Sequence, residues 1–207
     1  MLEVTKIACV RGSRRLFDNL SFRLESQQAL RVLGENGTGK TSLLRIVAGL
    51  ASAEAGDVSW SGRRIGELGE DYRRQLVFLG HANGLKDDLT PLENLKQALA
   101  LAGIDATLEA IRDSLQREGL GAAAELPVKV LSQGQKRRAA LARLGFCAGK
   151  PLWVLDEPFA ALDAAAVIRL AATIAGQLRR GGMVLLTTHQ EVALPGAAVD
   201  SLQLGAA

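Results

Sequence analysis

The stretch "LGENGTGKTS" (33–42) decides the fold, and it stands between an apolar run and a helical pattern. It matches G-x-x-x-x-G-K-[ST], the pattern of a loop that binds phosphate between a strand and a helix. Gly34, Gly37 and Gly39 let the backbone turn tightly, so that successive N–H groups point inward at phosphate oxygens. The N-terminus of the following helix adds the positive end of its dipole.

Two side chains of this loop have predicted roles with a nucleoside triphosphate. Lys40 is expected to reach the β- and γ-phosphates of ATP, and the Thr41 hydroxyl is expected to ligate Mg²⁺. The other loop positions predicted to bind ATP are Gly34, Glu35, Asn36, Gly37, Thr38, Gly39 and Ser42. An ordinary glycine-rich turn is the alternative, and the flanking strand and helix patterns disfavour it.

The segment "LWVLDEP" (152–158) places two carboxylates at the end of an apolar strand. Asp156 is predicted to bind Mg²⁺, directly or through water. Glu157 is predicted to accept a proton from the water that attacks the γ-phosphate. A solvated strand end before a proline turn is the alternative, which the phosphate loop makes less favourable.

A second apolar strand, "VLLTTHQE" (184–191), ends at His189. Ligands of open α/β sheets bind beyond the carboxyl ends of the strands, so the pattern predicts a contact between His189 and the γ-phosphate. A capping role is the alternative for a single histidine after a strand.

The rest of the chain alternates between strand and helix patterns. Predicted strands cover 3–10, 15–25, 28–33, 56–62 and 73–80, and a helix covers 42–50. From about residue 89 to 144 the pattern is helical. After residue 150, two apolar runs flank a helix-forming stretch, which indicates a parallel strand–helix–strand crossover.

Caps mark the starts of the helices in the middle region. Thr90 is the predicted N-cap of a helix, with Pro91 at its first position and Glu93 closing a capping box. A second helix ends near Gly119, and a third begins at Ser132.

The stretch "LSQGQKRR" (131–138) combines a capping box, formed by Ser132 and Gln135, with a glycine that weakens the first turn. Three cations follow at positions 136, 137 and 138. They either raise the local potential or form a solvated face, and the sequence leaves both open.

Composition narrows the function classes. The chain has 207 residues, a net charge of +3, and 4% aromatic residues, and its basic pairs are scattered. A stacking surface for nucleic acid is therefore not expected. The two cysteines, Cys9 and Cys147, lack metal-ligand spacing, which favours buried thiols in a reducing compartment. No signal peptide or membrane span is predicted, so the chain is expected to be cytosolic.

With these motifs in this order, the chain resembles the ATPase subunits of ATP-binding-cassette (ABC) transporters over nearly its whole length. "GENGTGKT" (34–41) resembles the Walker A motif, "LWVLDE" (152–157) the Walker B motif, and "LSQGQ" (131–135) the signature L-S-G-G-Q. Asp163 lies in a D-loop-like "ALD", and His189 matches the switch histidine.

The resemblance implies an α/β P-loop NTPase fold, with a mostly parallel core sheet, an antiparallel β subdomain and an inserted α-helical subdomain. It implies one domain over 1–207. The core and β subdomain would take 1–88 and 145–207, and the helical subdomain, with the signature, about 89–144.

The resemblance also implies a head-to-tail homodimer in which the signature of one subunit completes the ATP site of the other. The signature residues are Leu131, Ser132, Gln133, Gly134 and Gln135. Gly134 would then leave room for a phosphate, while Gln133 replaces the usual glycine.

Two positions depart from the common family pattern. His81 stands where most relatives have the Q-loop glutamine, and it is assigned a catalytic role. The charge of an imidazole in that role depends on pH near neutrality. Arg11 stands where an aromatic residue stacks on adenine, and a guanidinium also stacks on a flat ring.

With these two departures and its "LSQGQ" signature, the chain resembles the haem-exporter ATPase subunits of bacterial cytochrome c maturation. The resemblance implies integral-membrane permease partners, a peripheral location at the cytoplasmic face of the inner membrane, and hydrolysis that drives haem export or release of a haem-loaded chaperone. Direct haem binding is not expected. The alternatives are the ATPase subunit of another ABC exporter, or a soluble ABC ATPase acting on nucleic acid.

Overall fold

The computed structural model describes residues 1–205, which form two β-sheets with helices packed around them. The strands are β1 (Leu2–Arg11), β2 (Arg14–Leu24), β3 (Gln28–Leu33), β4 (Ala55–Trp60), β5 (Arg63–Arg64), β6 (Leu76–Leu79), β7 (Leu152–Leu155), β8 (Met183–Thr187) and β9 (Ala198–Gln203). One sheet is antiparallel, with the order β2-β1-β4-β5, and the other is parallel, with the order β6-β7-β8-β3-β9. The predicted α/β fold class is confirmed.

Seven helical segments connect or cover these strands within residues 1–205. They are α1 (Lys40–Val47), α2 (Ile65–Leu68), α3 (Glu70–Arg73), α4 (Pro91–Leu101), α5 (Leu108–Arg117), α6 (Gln133–Leu141) and α7 (Ala164–Arg179), beside short 3-10 turns at Gly121–Ala123, Val128–Val130 and Ala142–Phe146. None of the helices described here combines the length and apolar character needed to cross a bilayer.

The helix predicted over 42–50 is displaced toward the N-terminus. It begins at Lys40, because Gly39 adopts a left-handed conformation with φ 102° at the N-cap. It ends at Val47, where Gly49 (φ 67°) follows as a left-handed stop. The predicted capping box of α4 is confirmed: the Thr90 side chain accepts from Glu93 N at 3.1 Å, and Glu93 Oε2 accepts from Thr90 N at 2.9 Å.

Buried side chains form three hydrophobic clusters, and two of them lie on opposite faces of the parallel sheet. Alternate residues of β7 show the division: Val154 packs toward α1 and the antiparallel sheet, while Trp153 and Leu155 pack toward α7. The third cluster joins α4, α5 and α6 with the 3-10 turns and loops that connect them, and Leu99 and Leu115 are among its members. Both cysteines are buried free thiols, as predicted.

The parallel register brings several loops to one edge of the sheet. Val32 in β3 pairs with Thr187 in β8, and Leu155 in β7 pairs with Leu186. The segments that follow β3, β7 and β8 therefore leave the sheet side by side, and the segment after β6 lies next to that of β7. The phosphate loop and the loops that carry His81, Asp156 and His189 therefore meet at this carboxyl edge.

Candidate nucleotide-binding site

A cleft of about 690 Å³ lies at the carboxyl edge of the parallel sheet. Segments distant in sequence come together in its walls. The predicted site residues that line it are Arg11, Asn36, Gly37, Gly39, Lys40, Thr41, Ser42, His81, Asp156, Glu157 and His189. The lining also includes Arg14, Leu16 and Ala160, for which no site role was predicted.

The phosphate-loop motif wraps around the ammonium group of its own lysine. Lys40 is only 8% exposed, and its Nζ donates to the carbonyl oxygens of Gly34 at 2.7 Å and Glu35 at 3.0 Å. The hydroxyl of Thr38 donates to the same Glu35 carbonyl at 2.9 Å. The N-terminus of α1 has no side-chain cap, so its first backbone N–H groups are free to bind an anion.

The first position of the loop, Gly34, has no room for a side chain. Gly34 has φ 146°, and a Cβ at this position would lie 2.6 Å from the carbonyl oxygen of Leu204, just beyond β9. A contact this short with backbone requires the chain to move. The loop is therefore packed against the last strand as well as against β3.

Asp156 is the buried anchor of the cleft, with 1% of its surface exposed. Its Oδ2 accepts from the Thr41 hydroxyl, and its Oδ1 accepts from the Thr187 hydroxyl, each at 2.8 Å. The Thr187 hydroxyl also accepts from the backbone N–H of Glu157 at 2.8 Å. Two threonines thus fix the carboxylate beside the phosphate loop, and carboxylate and hydroxyl oxygens are the hard donors that suit Mg²⁺.

Glu157 combines a strained backbone with an unpaired carboxylate oxygen. Its φ of 48° lies in the left-handed region, which costs a non-glycine residue on the order of 1–3 kcal/mol. Its Oε1 is buried and has no hydrogen-bond partner among the described residues, although His189 Nε2 lies 3.5 Å away. An unsatisfied buried acceptor needs an explanation, and a bound reactant supplies one.

Two arginines line the cleft at the end of the antiparallel sheet. Arg11 and Arg14 are cross-strand partners at the turn between β1 and β2. Arg14 Nη1 lies 3.9 Å from the position that a Cβ on Gly37 would take, so its guanidinium is beside the phosphate loop. Arg14 was not predicted from the sequence, although its register beside Arg11 in the hairpin was a usable signal.

The signature segment has the predicted capping box but lies outside its own cleft. Ser132 Oγ accepts from Gln135 N at 3.2 Å, and Gln135 Oε1 accepts from Ser132 N at 2.9 Å. None of residues 131–135 is among the described residues that line the cleft. A Cβ on Gly134 would lie 2.8 Å from the carbonyl oxygen of Ala161, so this glycine is also required by packing within the chain.

Asp163 also lies outside the cleft lining. It is the N-cap of α7, and its Oδ1 accepts from Ala166 N at 2.8 Å. Of the remaining predicted site residues, Gly34, Glu35 and Thr38 contribute to the shape of the phosphate loop without lining the cleft.

The three cations after the signature do not form a solvated face. Arg137 is 4% exposed, and burial lowers the pKa of its guanidinium, while the charges of Asp156 and Glu157 act in the opposite direction. Lys136 pairs with Asp87 at 3.3 Å, and Arg138 donates to the Glu118 carbonyl at 3.0 Å. For Arg137, the solvated interpretation is wrong.

Comparisons with known proteins agree with this geometry. The family model of the ABC transporter matches residues 17–160. The chain is 51% identical to the cytochrome c biogenesis ATP-binding export protein CcmA of Dechloromonas aromatica, over 99% of this chain and 100% of the relative. It is 50% identical to the protein of the same name from Nitrosospira multiformis, over 98% of each chain.

Solved structures show the same fold. An ATP-binding subunit of an ABC transporter superposes with a TM-score of 0.79 at 26% identity, covering 91% of this chain and 79% of that one. The cassette MJ0796, in a dimer bound to ADP and Pi, superposes with a TM-score of 0.83 at 20% identity, over 99% of this chain and 97% of that one.

Proposed function

The chain belongs to the ABC transporter family, and within it to the cytochrome c biogenesis ATP-binding export proteins, and we propose that its ATP hydrolysis drives haem export or the release of a haem-loaded chaperone. The observation that supports hydrolysis most directly is the convergence of Lys40, Asp156 and Glu157 in one cleft. The family supplies the export role, because a nucleotide cleft is not specific for a transported molecule.

We place the β- and γ-phosphates of ATP at the N-terminus of α1. Lys40 Nζ then exchanges its contacts with the carbonyls of Gly34 and Glu35 for phosphate oxygens. The uncapped backbone N–H groups at the start of α1 donate to the same phosphates. Arg11 is assigned to the adenine ring, which a guanidinium stacks on as a flat cation.

Thr41 and Asp156 are the residues that would hold Mg²⁺, since their oxygens are 2.8 Å apart and face the phosphate loop. Mg²⁺ bound there would neutralise charge on the phosphates. Thr187 keeps the Asp156 carboxylate in place from the opposite side at 2.8 Å. We assign Thr187 no direct contact with the nucleotide.

Glu157 is proposed as the general base. Its buried Oε1 has no hydrogen bond among the described residues, so it is available to accept a proton from the attacking water. His189, 3.5 Å from Oε1, is proposed to contact the γ-phosphate. His81 lies across the same cleft and is proposed to take the place of the glutamine that most relatives have.

The test of hydrolysis is Glu157→Gln. The amide is isosteric but does not accept the proton, so we expect ATP affinity to persist and turnover to fall by about 10²–10⁴-fold. Equilibrium binding of ATP and steady-state phosphate release measure the two effects separately. Phosphate release at the wild-type rate would exclude Glu157 as the base.

We propose that two copies pair head to tail, so that residues 131–135 of one subunit complete the cleft of the other. The position of the signature outside its own cleft supports this arrangement. The separate hydrophobic cluster of α4, α5 and α6 supports assigning about 89–144 to the helical subdomain that presents the signature.

The proposed location is the cytoplasmic face of the inner membrane, held there by integral-membrane permease subunits. The proposed contact surface includes residues 81–94 and the helical subdomain, where a cavity of about 770 Å³ separates α4 from β6 and Leu101 is 90% exposed. Pull-down of the tagged protein from detergent-solubilised membranes tests this location. Recovery from the soluble fraction alone, with bound RNA, would instead favour the nucleic-acid alternative.

A further inference from the structure

Arg137 is a buried cation in the helix that follows the signature, and its guanidinium faces the sheet edge. An arginine side chain has five N–H donors in a fixed planar fork. Five protein oxygens surround this one: Nη2 donates to the carbonyls of Asp156 and Glu157 at 2.8 Å each, Nη1 to the Gly80 carbonyl and Asn83 Oδ1 at 3.1 Å each, and Nε to the Pro158 carbonyl at 3.4 Å.

These acceptors belong to two different loops of the cleft. Gly80 and Asn83 flank His81, while Asp156 and Pro158 flank Glu157. In the sequence, Arg137 lies 57 residues after Gly80 and 19 residues before Asp156. One side chain on α6 therefore holds together the segments that contain two of the proposed catalytic groups, His81 and Glu157.

Glu157 depends on these contacts because its backbone is strained. A non-glycine residue stays in the left-handed region only when its surroundings hold it there. Its N–H donates to Thr187 Oγ1 at 2.8 Å, and its carbonyl accepts from Arg137 Nη2 at 2.8 Å. Both peptide groups beside its Cα are thus held, and the direction in which the side chain leaves the backbone is held with them.

We propose that Arg137 is a positioning residue that fixes the Glu157 carboxylate for proton transfer and connects the signature helix to it. This inference rests on the proposed role of Glu157 as the base. Arg137 lies on α6 and Ser132 is the N-cap of that helix, so a displacement of the signature displaces the guanidinium and the carbonyls bound to it. A partner subunit that binds the signature thereby acts on the base.

The competing explanation is that Arg137 only stabilises the fold. A buried arginine with five acceptors contributes to stability in either case, so a loss of stability does not distinguish the two. What distinguishes them is whether substitution affects the chemical step specifically, and whether its effect disappears when Glu157 has already lost its function.

The experiment compares Arg137→Gln with Arg138→Gln. Arg138 is the matched control, because it lies on the same helix and donates to the carbonyls of Glu118 and Gly119, outside the cleft lining. For Arg137→Gln we expect kcat to fall by about 10²-fold, the effect of a misplaced catalytic group, with an unchanged KM for ATP. For Arg138→Gln we expect kcat to be retained.

Arg137→Lys keeps the charge but offers donors from a single nitrogen, so it reaches one loop and not both. We expect a kcat between those of the wild type and Arg137→Gln. In the Glu157→Gln background, Arg137→Gln should cause no further loss, because the group on which it acts is already inactive. Turnover retained by Glu157→Gln alone would contradict the proposed role of Glu157, and the inference that rests on it would fall for that reason and not because of Arg137.

Three results would overturn the role of Arg137. The first is a wild-type kcat in Arg137→Gln, and the second is an equal loss in both glutamine variants. The third is a full additional loss in the Glu157→Gln background. If Arg137→Gln does not fold, Arg137→Lys is measured in its place. If both fail to fold while Arg138→Gln folds, the proposal is abandoned, because the fold then requires the arginine itself.

Discussion

Arg11 and Arg14 give the cleft two cations where an aromatic residue was the expectation from the family pattern. Both lie at the end of the β1–β2 hairpin, within reach of a nucleotide bound at the phosphate loop. Their contribution should appear in nucleotide affinity and not in the chemical step, because neither has a hydrogen bond or an ion pair with Glu157 among the described residues.

For Arg11→Ala we expect KM for ATP to rise by about two- to fivefold, since a guanidinium on an exposed aromatic ring contributes ~0.5–1 kcal/mol. Arg14→Ala should raise KM in the same direction. Arg15→Ala is the control, because Arg15 pairs with Asp18 and is absent from the described cleft lining. Steady-state kinetics decide, and a lowered kcat with unchanged KM would contradict the assignment to binding.

A second prediction concerns the buried thiol of Cys147. Burial raises its pKa, and the charges of Arg143 and Lys150 offset this only in part. The folded chain therefore keeps a proton that the unfolded chain loses, so this group should make the free energy of unfolding fall as pH rises from about 8.5.

Urea unfolding between pH 8 and 10 measures this slope for the wild type and for Cys147→Ser. Serine does not titrate in this range, so we expect the variant to show a shallower decline with pH, whatever its absolute stability. Equal slopes in the two proteins would show that Cys147 does not contribute.

The site residues that could be predicted from the sequence belong to short patterns. The phosphate loop, Asp156, Glu157 and His189 each follow a strand signal, and the cleft unites them. The contacts of Arg137 could not be predicted, because its partners are up to 57 residues away and a cation beside two others resembles a solvated face. Likewise, only the structure shows that Gly134 abuts the Ala161 carbonyl.

Helices α5 and α6 begin with the same kind of side-chain cap, and only one of them is proposed to bind a nucleotide. Thr107 Oγ1 accepts from Ala110 N at 3.2 Å, and Ser132 Oγ accepts from Gln135 N at 3.2 Å. The pair separates the contribution of a cap to stability from a contribution to function.

We expect Ser132→Ala and Thr107→Ala each to lower the free energy of unfolding by about 1 kcal/mol, the usual effect of losing an N-cap. Only Ser132→Ala should lose hydrolysis, because its hydroxyl is proposed to reach the ATP of a second subunit. Urea denaturation and phosphate release measure the two effects. A similar loss of hydrolysis in Thr107→Ala would point to a general effect of destabilisation.

Elements with strong local signals were predicted well, including the edge strands β2 and β6, whereas β5 and β9 were not predicted. The capping boxes of α4 and α6 follow from four-residue patterns, and β3 was predicted with its observed bounds. Strands β5 and β9 lie at sheet edges and are largely exposed, so they lack the apolar alternation that indicates a strand.

The whole assembly should require two subunits for each complete site. Lys40→Ala removes a phosphate contact from the cleft of the subunit that carries it. Ser132→Ala removes a signature contact from the cleft of the partner subunit. Each variant alone should be inactive. After mixing, a dimer containing one of each retains one site with both groups intact, so we expect part of the activity to return.

Phosphate release from the mixture, compared with each variant alone, measures this complementation. A mixture of either variant with Glu157→Gln does not replace this experiment, since it tests the base and not the contact shared between subunits. No recovery over a range of mixing ratios would argue against sharing sites between subunits.

Fold class could be predicted from the alternation of strand and helix patterns, but the partition of strands between sheets could not. β3 follows β2 directly in sequence, yet it leaves the antiparallel sheet to pair with β8 and β9. Those partners lie more than 150 residues further along the chain, and no local pattern indicates them.

The contact between Gly34 in the phosphate loop and the Leu204 carbonyl after β9 has a practical consequence. Among the described strands, β9 pairs with β3 alone and is largely exposed, and the Leu204 carbonyl that abuts Gly34 follows it directly. A purification tag fused after residue 207 would be separated from Leu204 by three residues, close in sequence to a backbone group that shapes the phosphate loop. The same tag before Met1 would sit about 30 Å from the cleft, at the far end of the ten residues of β1.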